Sequence, residues 1–552
     1  MPAPRKGARP LRRRLAALVL LAVLLLAAGA VAVQRWWHST AVDRPPATAE
    51  PADPTLAALD RALQRSRGEM GTGVAIRPLA AADASPDSAA MAESVCSALA
   101  ERLVRLPALR IVPCRSTSVA LAAQMDDVRL ARLLAVRYVL KGRVDALPEN
   151  RLHVRIALHE AASERPAWQI DEQIATGALQ ALPARVAEAT ARTLGQVQPA
   201  ADEPAIAAPA YLLFLRASQL ARRPTLEDKQ EAYRLNEQVL AAAPDYEPAL
   251  YQRLGLTSVL SASSTGPATR GTLAQVQAAQ QRMRDDIRAL GQRLIARDPA
   301  SWRGHILLLN DAYTYARWAE SLAHAEAMMQ HAARHPGVLR IAARLFFTAG
   351  YLRQARDLAL DAARLNALDP EAFEVLALAH AALGEREAFA DTLELAAQMG
   401  HRRIAVPQAL LALRRGDRAA FETAGRAFAT ATAKPDTWAE PWLRGVLDAA
   451  ARDAAVQALQ GIDENERRMR AELMLEWALL GDVPRAVAAL EAIAARPLAR
   501  WAEDLWWPEL AAVRRHAGFA RAAERMGLAA LWAQRGAPDL CARSDGGEWV
   551  CR

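Results

Sequence analysis

Two hydrophobic periods divide the sequence. Between Val136 and Leu158, VRYVLKGRVDALPENRLHVRIAL, Tyr138, Leu140, Val144 and Ala146 fall on one side and Lys141, Arg143 and Asp145 on the other. After Pro148-Glu149-Asn150 the alternation resumes at Leu152, Val154, Ile156 and Leu158. A period of two on both sides of a turn signal predicts a β-hairpin. Upstream, GVAIRPLA at Gly73 reads as a strand, and Ser85-Pro86 opens a helix with Val95, Leu99 and Leu103 on one stripe, serine as N-cap and proline in the first turn. ALRIVPC reads as a second strand, Val128 to Leu134 as a short helix, PAWQIDEQIAT as another strand and Leu182 to Leu194 as a helix. This order predicts a compact α+β domain over residues 71–197.

From residue 205 the period changes to that of helices. GYLRQARDLAL at Gly350, GEREAFADTLE at Gly384, GDRAAFETAGR at Gly416, ARDAAVQALQG at Ala451 and GDVPRAVAALE at Gly481 recur at a steady interval. An interval of about 30 to 35 residues marks a helical solenoid. The spacing of Gly350, Ala355 and Ala363 repeats in Gly481, Ala486 and Ala494. Glycine suits the tight turn inside each helix pair, and alanine the close crossing of its two helices. Pro336 and Pro370 are expected to end successive units, with Pro244 and Pro299 closing two earlier ones and a Ser/Gly-rich loop at 261–271 interrupting the second. The solenoid is expected over 205–500, and 501–552 as capping helices with a disulfide loop.

Charge and composition change the picture mainly at the N-terminus. The 552 residues carry a formal net charge of +8, but Arg5, Lys6, Arg9, Arg12, Arg13 and Arg14 supply six of these charges with no acid among them. The body is therefore close to neutral, which argues against nucleic-acid binding by it. Residues 15–33, LAALVLLAVLLLAAGAVAV, lack any polar side chain. Nineteen helical residues just span a hydrocarbon core of about 30 Å. The expectation is a basic cytoplasmic tail at 1–14, a transmembrane anchor at 15–33, and a Pro/Ala-rich linker with a short helix near Leu56 to Arg67 at 34–70. Basic residues stay inside, placing the bulk of the chain outside the cytoplasm. Ala28-Gly29-Ala30 also fits a signal-peptide cleavage site, the alternative to a retained anchor.

The four cysteines fit an oxidising compartment. Cys541 and Cys551 bracket a turn signal, Asp545-Gly546-Gly547, and are expected to pair. Cys96 on the predicted helix and Cys114 at the end of the second strand can also meet, the alternative being two buried thiols.

VAIRPL, SALAERLVRLPALRIVPCRST and ARLLAVRYVLKGRVDALPENRLHVRIAL together resemble the TolB N-terminal-like domain of bacterial membrane-anchored regulators. Arg105-Leu106-Pro107 before the Leu109–Val112 strand, and Val136-Arg137-Tyr138-Val139-Leu140 with Gly142, carry the resemblance; Pro78-Leu79-Ala80 departs from the family's Pro-Phe-x-Asn. The helical region resembles tetratricopeptide repeats. The end of the chain, with Gly527-Leu528, Trp532, Gly536 and Pro538-Asp539-Leu540-Cys541, is similar to the closing segment of TolB-like tetratricopeptide regulators. The resemblance implies the periplasmic half of a CadC-type regulator, without its winged-helix domain.

Enzyme motifs are missing. None of the four lysines, Lys6, Lys141, Lys229 and Lys434, precedes Ser or Thr as a Walker A lysine does. Arg77 stands where a kinase strand has lysine, and no Gly-x-Ser-x-Gly elbow occurs. His331 and His335, spaced as one helical turn, with His324 before them, are the best metal candidates; solvent-facing helix histidines are the plainer reading, and no cofactor or metal is expected. Tyr211, Tyr246, Tyr313 and Tyr351 can line a ligand groove or pack between helices. The expected fold class is mainly α: a transmembrane helix, a small α+β domain and an α-solenoid. The expected function is a non-enzymatic scaffold of the bacterial inner membrane, exposed to the periplasm, binding protein or peptide ligands in the solenoid groove. The alternative is a sensory component whose cytoplasmic effector domain lies on a separate chain.

Overall fold

A computed structural model describes residues 72–552 apart from 82–85, 105, 107–108, 115, 119–124, 150, 164, 197–204, 224, 262–272, 333–334, 400, 402–403, 431–437, 463–472 and 496–498. The basic tail, the apolar segment 15–33, the linker with its short helix and the loop at 262–271 lie outside the described residues. Among the described residues no helix is long and apolar enough to cross a membrane.

The first strands and helices are β1 (Gly73–Ile76), α1 (Pro86–Leu103), β2 (Arg110–Val112), α2 (Asp127–Leu134), β3 (Tyr138–Leu147), β4 (Arg151–Glu160), β5 (Pro166–Ala175) and α3 (Leu182–Thr193). The sheet order is β2-β1-β3-β4-β5, with β1 parallel to β2 and β3 and the rest antiparallel. In the hairpin, Leu140 faces Leu158 and Val144 faces Val154, all buried against Leu99, Leu103 and Val186 of the covering helices. Gly142 sits opposite Ile156, and a Cβ there would come within 2.2 Å of the Arg155 carbonyl oxygen. Only glycine lets the two backbones approach so closely.

Details of the alternation are corrected by charge. Ala146, expected on the buried side, is exposed at the hairpin end, whereas Asp145 is only 7% exposed. Arg143 and Arg155 flank that carboxylate at 2.9 and 3.2 Å, so a buried charge keeps its partners. Asp126 caps α2, its carboxylate accepting from the Arg129 amide. The second strand is shorter than expected: Cys114 lies in a helical turn beyond it rather than at its end.

The rest is an array of antiparallel helix pairs: α4 (Ala208–Arg222) with α5 (Leu226–Ala242), α6 (Glu247–Ser261) with α7 (Leu273–Arg297), α8 (Trp302–Thr314) with α9 (Trp318–His331), α10 (Pro336–Thr348) with α11 (Leu352–Leu365), α12 (Pro370–Leu383) with α13 (Arg386–Gln398), α14 (Ala405–Arg415) with α15 (Arg418–Thr430), α16 (Ala439–Leu447) with α17 (Arg452–Gln460), and α18 (Met474–Leu479) with α19 (Val483–Ala494). Within every pair but α6 with α7 the helices pack along their length, α7 lying chiefly against α8, and α4 touches α6, as α10 touches α12, so these first helices share one face. Gly350, Gly384, Gly416 and Gly481 turn the chain inside four pairs with φ of 92°, 79°, 70° and 76°. Ala355, Ala359 and Ala362 on α11 are fully buried where it crosses its neighbours. Pro336 and Pro370 open α10 and α12 rather than closing the units before them, as suits a residue without an N–H to donate.

After α19 come 3-10 turns at Ala499–Trp506 and Pro508–Leu510, then α20 (Ala511–Arg514), α21 (Ala517–Arg525), α22 (Leu528–Arg535) and the two-stranded ribbon β6 (Cys541–Arg543) and β7 (Trp549–Cys551). Cys541 pairs with Cys551 across that ribbon. Cys96 and Cys114 also form a disulfide, their Cα atoms 6.4 Å apart.

Candidate binding site

The face formed by the first helices of the pairs is the surface on which such an array can hold a ligand. Parts of it are covered by the chain itself. Along the later pairs the cover is the segment after residue 498. Its turn at 499–506 lies on α8 and α10, and α22 lies on α9. The last carbonyls of a helix have no partner within it; here Trp506 Nε1 donates to the Thr348 carbonyl at 3.0 Å and Trp532 Nε1 to that of Ala349 at 2.9 Å. Trp318 returns the contact, its Nε1 donating to Met526 O at 2.6 Å. Gly350 follows directly, and a Cβ on it would stand 2.7 Å from the Trp506 ring.

Charged groups complete this seam. Arg344 on α10 holds Glu503 and Glu374 at 3.0 Å each, and His401 Nε2 lies 2.7 Å from Glu374. Arg414 at the end of α14 meets both oxygens of Glu509. Burial, then the charges of Glu503 and Glu476, push the Asp504 carboxyl up to about 7. Arg514 donates to the main-chain oxygens of Leu505, Trp507 and Arg552 at 2.7 to 2.8 Å, and burial followed by Arg515 lowers its pKa to about 10. The segment beyond 498 is thus built into the array as part of its interior.

Over the first three pairs the cover is the sheet region. Ser94 Oγ on α1 donates to Leu215 O on α4 at 3.0 Å, and Glu101 pairs with Arg303 at the start of α8 at 2.8 Å. Farther along, Arg110 on β2 donates to the end of α2 at Leu134 O (2.6 Å) and across to Leu365 O (3.3 Å), while Asn366 Nδ2 donates to Ser116 Oγ at 2.9 Å. Asp127, joined to Arg77 at 2.6 Å and Lys141 at 2.7 Å, is held below its usual range; burial opposes this, and the two cations outweigh it.

Between α1, the turn at 176–181, and the first helices α4, α6 and α8 this cover leaves a cleft of about 480 Å³, within the size range of ligand pockets. Its array wall is aromatic: Tyr211, Phe214, Tyr246, Tyr251 and Trp302. Phe214 meets Tyr246 edge-on at 5.2 Å between ring centres, and Tyr251 meets Trp302 at 6.1 Å. Burial raises the Tyr251 phenol above its usual pKa, keeping it a neutral donor. Gln252 donates to Ser218 Oγ at 3.0 Å, while its own carbonyl oxygen has no hydrogen-bond partner. The rim carries Glu101, Arg102 and Arg303.

Of the four candidate tyrosines, the structure brings Tyr211 and Tyr246 together in this cleft. Tyr313 packs edge-on against Trp318, and Tyr351 donates to Gly536 O under the C-terminal segment. The histidines separate. α9 ends at His331, and His335 starts the next helix as an N-cap whose Nδ1 accepts from the Val338 amide at 3.3 Å. His324 instead meets His305 at 3.1 Å between Nδ1 atoms. Among the described residues no group of three metal-ligating side chains forms. Phe214, Tyr251, Gln252, Trp302 and Arg303 are not singled out by the sequence. The only signal is the helical spacing of Tyr211, Phe214 and Ser218, which equally describes a packed core.

No family model matches the sequence, and no curated protein matches it. Among solved structures, a thermophilic TPR protein of Thermus thermophilus is 18% identical over 46% of this chain and 99% of its own, with a TM-score of 0.20. The APC/C hetero-tetramer Cut9-Hcn1 is 11% identical over 63% and 83%, with a TM-score of 0.26. The TPR domain of P58(IPK) is 13% identical over 55% and 88%, with a TM-score of 0.17. At these scores the architecture of this chain rests on its own packing, an array of helix pairs closed over by its two flanking regions.

Proposed function

We propose that this protein is a non-enzymatic scaffold in which a tetratricopeptide-like array and a TolB N-terminal-like module together bind a protein or peptide partner. The observation that carries the reading is the aromatic cleft, a part of the first-helix face that the sheet region leaves open. Ligands occupy concave sites with apolar walls and a few convergent polar groups, and the cleft has that composition. In this reading the segment 15–33 anchors the chain in the bacterial inner membrane and the array works in the periplasm, as its apolar run and preceding arginines support.

A photo-crosslinking residue at Phe214, compared with one at Gln230 on α5, tests the scaffold in living cells. The expected result is a discrete partner adduct from position 214 only; adducts from neither position would refute it. An alkaline phosphatase fusion after Arg552 should be active, and a fluorescent protein that matures only in the cytosol should stay dark there. The reverse pattern would overturn the periplasmic placement.

A further inference from the structure

Two histidines that the fold brings together, His305 and His324, lie outside the lining of the cleft. We infer that they form a two-nitrogen site for a divalent transition metal ion, zinc or copper(II), held between α8 and α9. The site stands apart from the scaffold reading and does not depend on it.

Hydrogen bonding sets the first ring. His305, near the start of α8, is 7% exposed, and its Nε2 lies 3.0 Å from the Pro299 carbonyl oxygen. A carbonyl only accepts, so Nε2 carries the ring proton and Nδ1 of the neutral ring presents a lone pair. His324 Nδ1 stands 3.1 Å from that atom, the ring centres being 5.3 Å apart. His324 is half-buried in the middle of α9; burial, followed by the neighbouring His305, lowers its pKa, so it too is neutral near pH 7. Without an ion, His324 Nδ1–H donates to His305. On binding, that proton moves to Nε2 of the same ring through solvent, and both Nδ1 lone pairs are then open to one ion. The spacing fits. With metal–nitrogen bonds of about 2.0–2.1 Å, two ligands of a tetrahedral ion stand about 3.3 Å apart, and neighbouring ligands of a square-planar ion about 2.9 Å; the observed distance falls between. A ligating histidine usually donates its other ring nitrogen to a carbonyl or carboxylate, and His305 has that support already in place. Imidazole nitrogens without carboxylate oxygens select zinc or copper(II) over magnesium or calcium. No third histidine, cysteine or carboxylate joins the pair among the described residues, so water completes the shell and the ion is exchangeable, unlike one in a closed structural site.

The test uses the full chain in detergent, stripped with a chelator that is then removed, and titrated by calorimetry with zinc, copper(II) and magnesium in turn. Wild type should take up one zinc or one copper(II) ion saturably, copper(II) the tighter, and no magnesium. One equivalent of copper(II) should give an electron paramagnetic resonance spectrum split by two imidazole nitrogens. His305→Gln and His324→Gln should each weaken zinc about tenfold or more, whereas His331→Gln, at the exposed end of α9, should leave it unchanged. Because the His305→Gln chain can fail to fold, the wild-type spectrum is an independent readout. Zinc should also raise the unfolding temperature of wild type and not that of His324→Gln, since an ion that binds the folded state stabilises it. Equal uptake by wild type and a folded His324→Gln chain, a loss of affinity in His331→Gln instead, or a wild-type spectrum with nitrogen from fewer than two rings would each overturn the inference and leave the pair as a hydrogen bond only.

Discussion

The two covers of the first-helix face are made differently. The C-terminal segment presses indoles into it: Trp506 and Trp532 are at most 1% exposed and use their single N–H groups on the carbonyls that end α10. The sheet region shares a hydrophobic core with α4, whose Tyr211 and Leu215 pack among Leu99, Leu182 and Val186, but beyond that helix it meets the array at separate polar points, Glu101, Arg110 and Ser116, and leaves a cavity beside them. One cover is interior, bound by the packing rules of a core. The other is a junction, and a junction with an aromatic void is where a ligand gains most. The difference predicts that substitutions under the C-terminal segment act on stability, and those at the sheet junction on binding.

The largest effect should come from Trp506→Ala, which removes a buried ring and orphans the Thr348 carbonyl. A loss of about 3–5 kcal/mol in chemical unfolding of the full chain is expected; a loss below about 1 kcal/mol, the range of surface substitutions, would mean that the segment lies loosely on the array. Next is Gly350→Ala, where a left-handed φ of 92° and the Trp506 ring both oppose a Cβ. About 2 kcal/mol or more should be lost, above the cost of ordinary Gly substitutions at such turns.

Asp504 sharpens the comparison through pH. Its carboxyl is raised from 3.8 to about 7, so the unfolded chain ionises first. The protein's stability from this group is complete below about pH 4 and falls as pH rises from about 4 to 7. Asp504→Asn should flatten that slope and make the protein more stable than wild type at about pH 8, above both values. Since Asp504 keeps a part-exposed edge, solvent screening trims the gain to roughly 1–2 kcal/mol. A variant less stable than wild type there would contradict this. The smallest effect belongs to the junction: Arg303→Gln, on a pair whose Glu101 side chain is 52% exposed, should change stability by less than about 1 kcal/mol while altering peptide affinity.

The β5 edge illustrates a further contrast within the sheet. Its outer positions alternate exposed, and Glu172 and Asp171 carry charge at its centre, paired with Arg185 at 2.5 Å and His153 at 2.6 Å. Charged centres of this kind discourage another strand from adding. The array wall at Phe214 and Trp302 is aromatic instead, a surface that favours contact.

Much of the local structure is legible in the residues. The hairpin can be read because a period of two survives any environment that buries one face, and the helix pairs because glycine recurs at the positive-φ turn inside four of them, although Ala316 takes that turn between α8 and α9. The burial of Asp145 cannot be read from its own strand, because it depends on Arg143 two positions before it and on Arg155 from the next strand. The His331–His335 pairing fails for a local reason: helix α9 stops at His331, and His335 caps the following helix.

The sequence by itself determined the order and type of the elements, since each depends on residues a few positions apart. Only the tertiary structure decided that residues beyond 498 return to α10, that α1 faces α4 and α8, and that a cleft survives between them. Trp506 and Thr348 stand 158 positions apart, and nothing in the period of either helix records the other. Such contacts are selected by shape and by the need to give every buried polar group a partner, and both are settled only when the whole chain is folded.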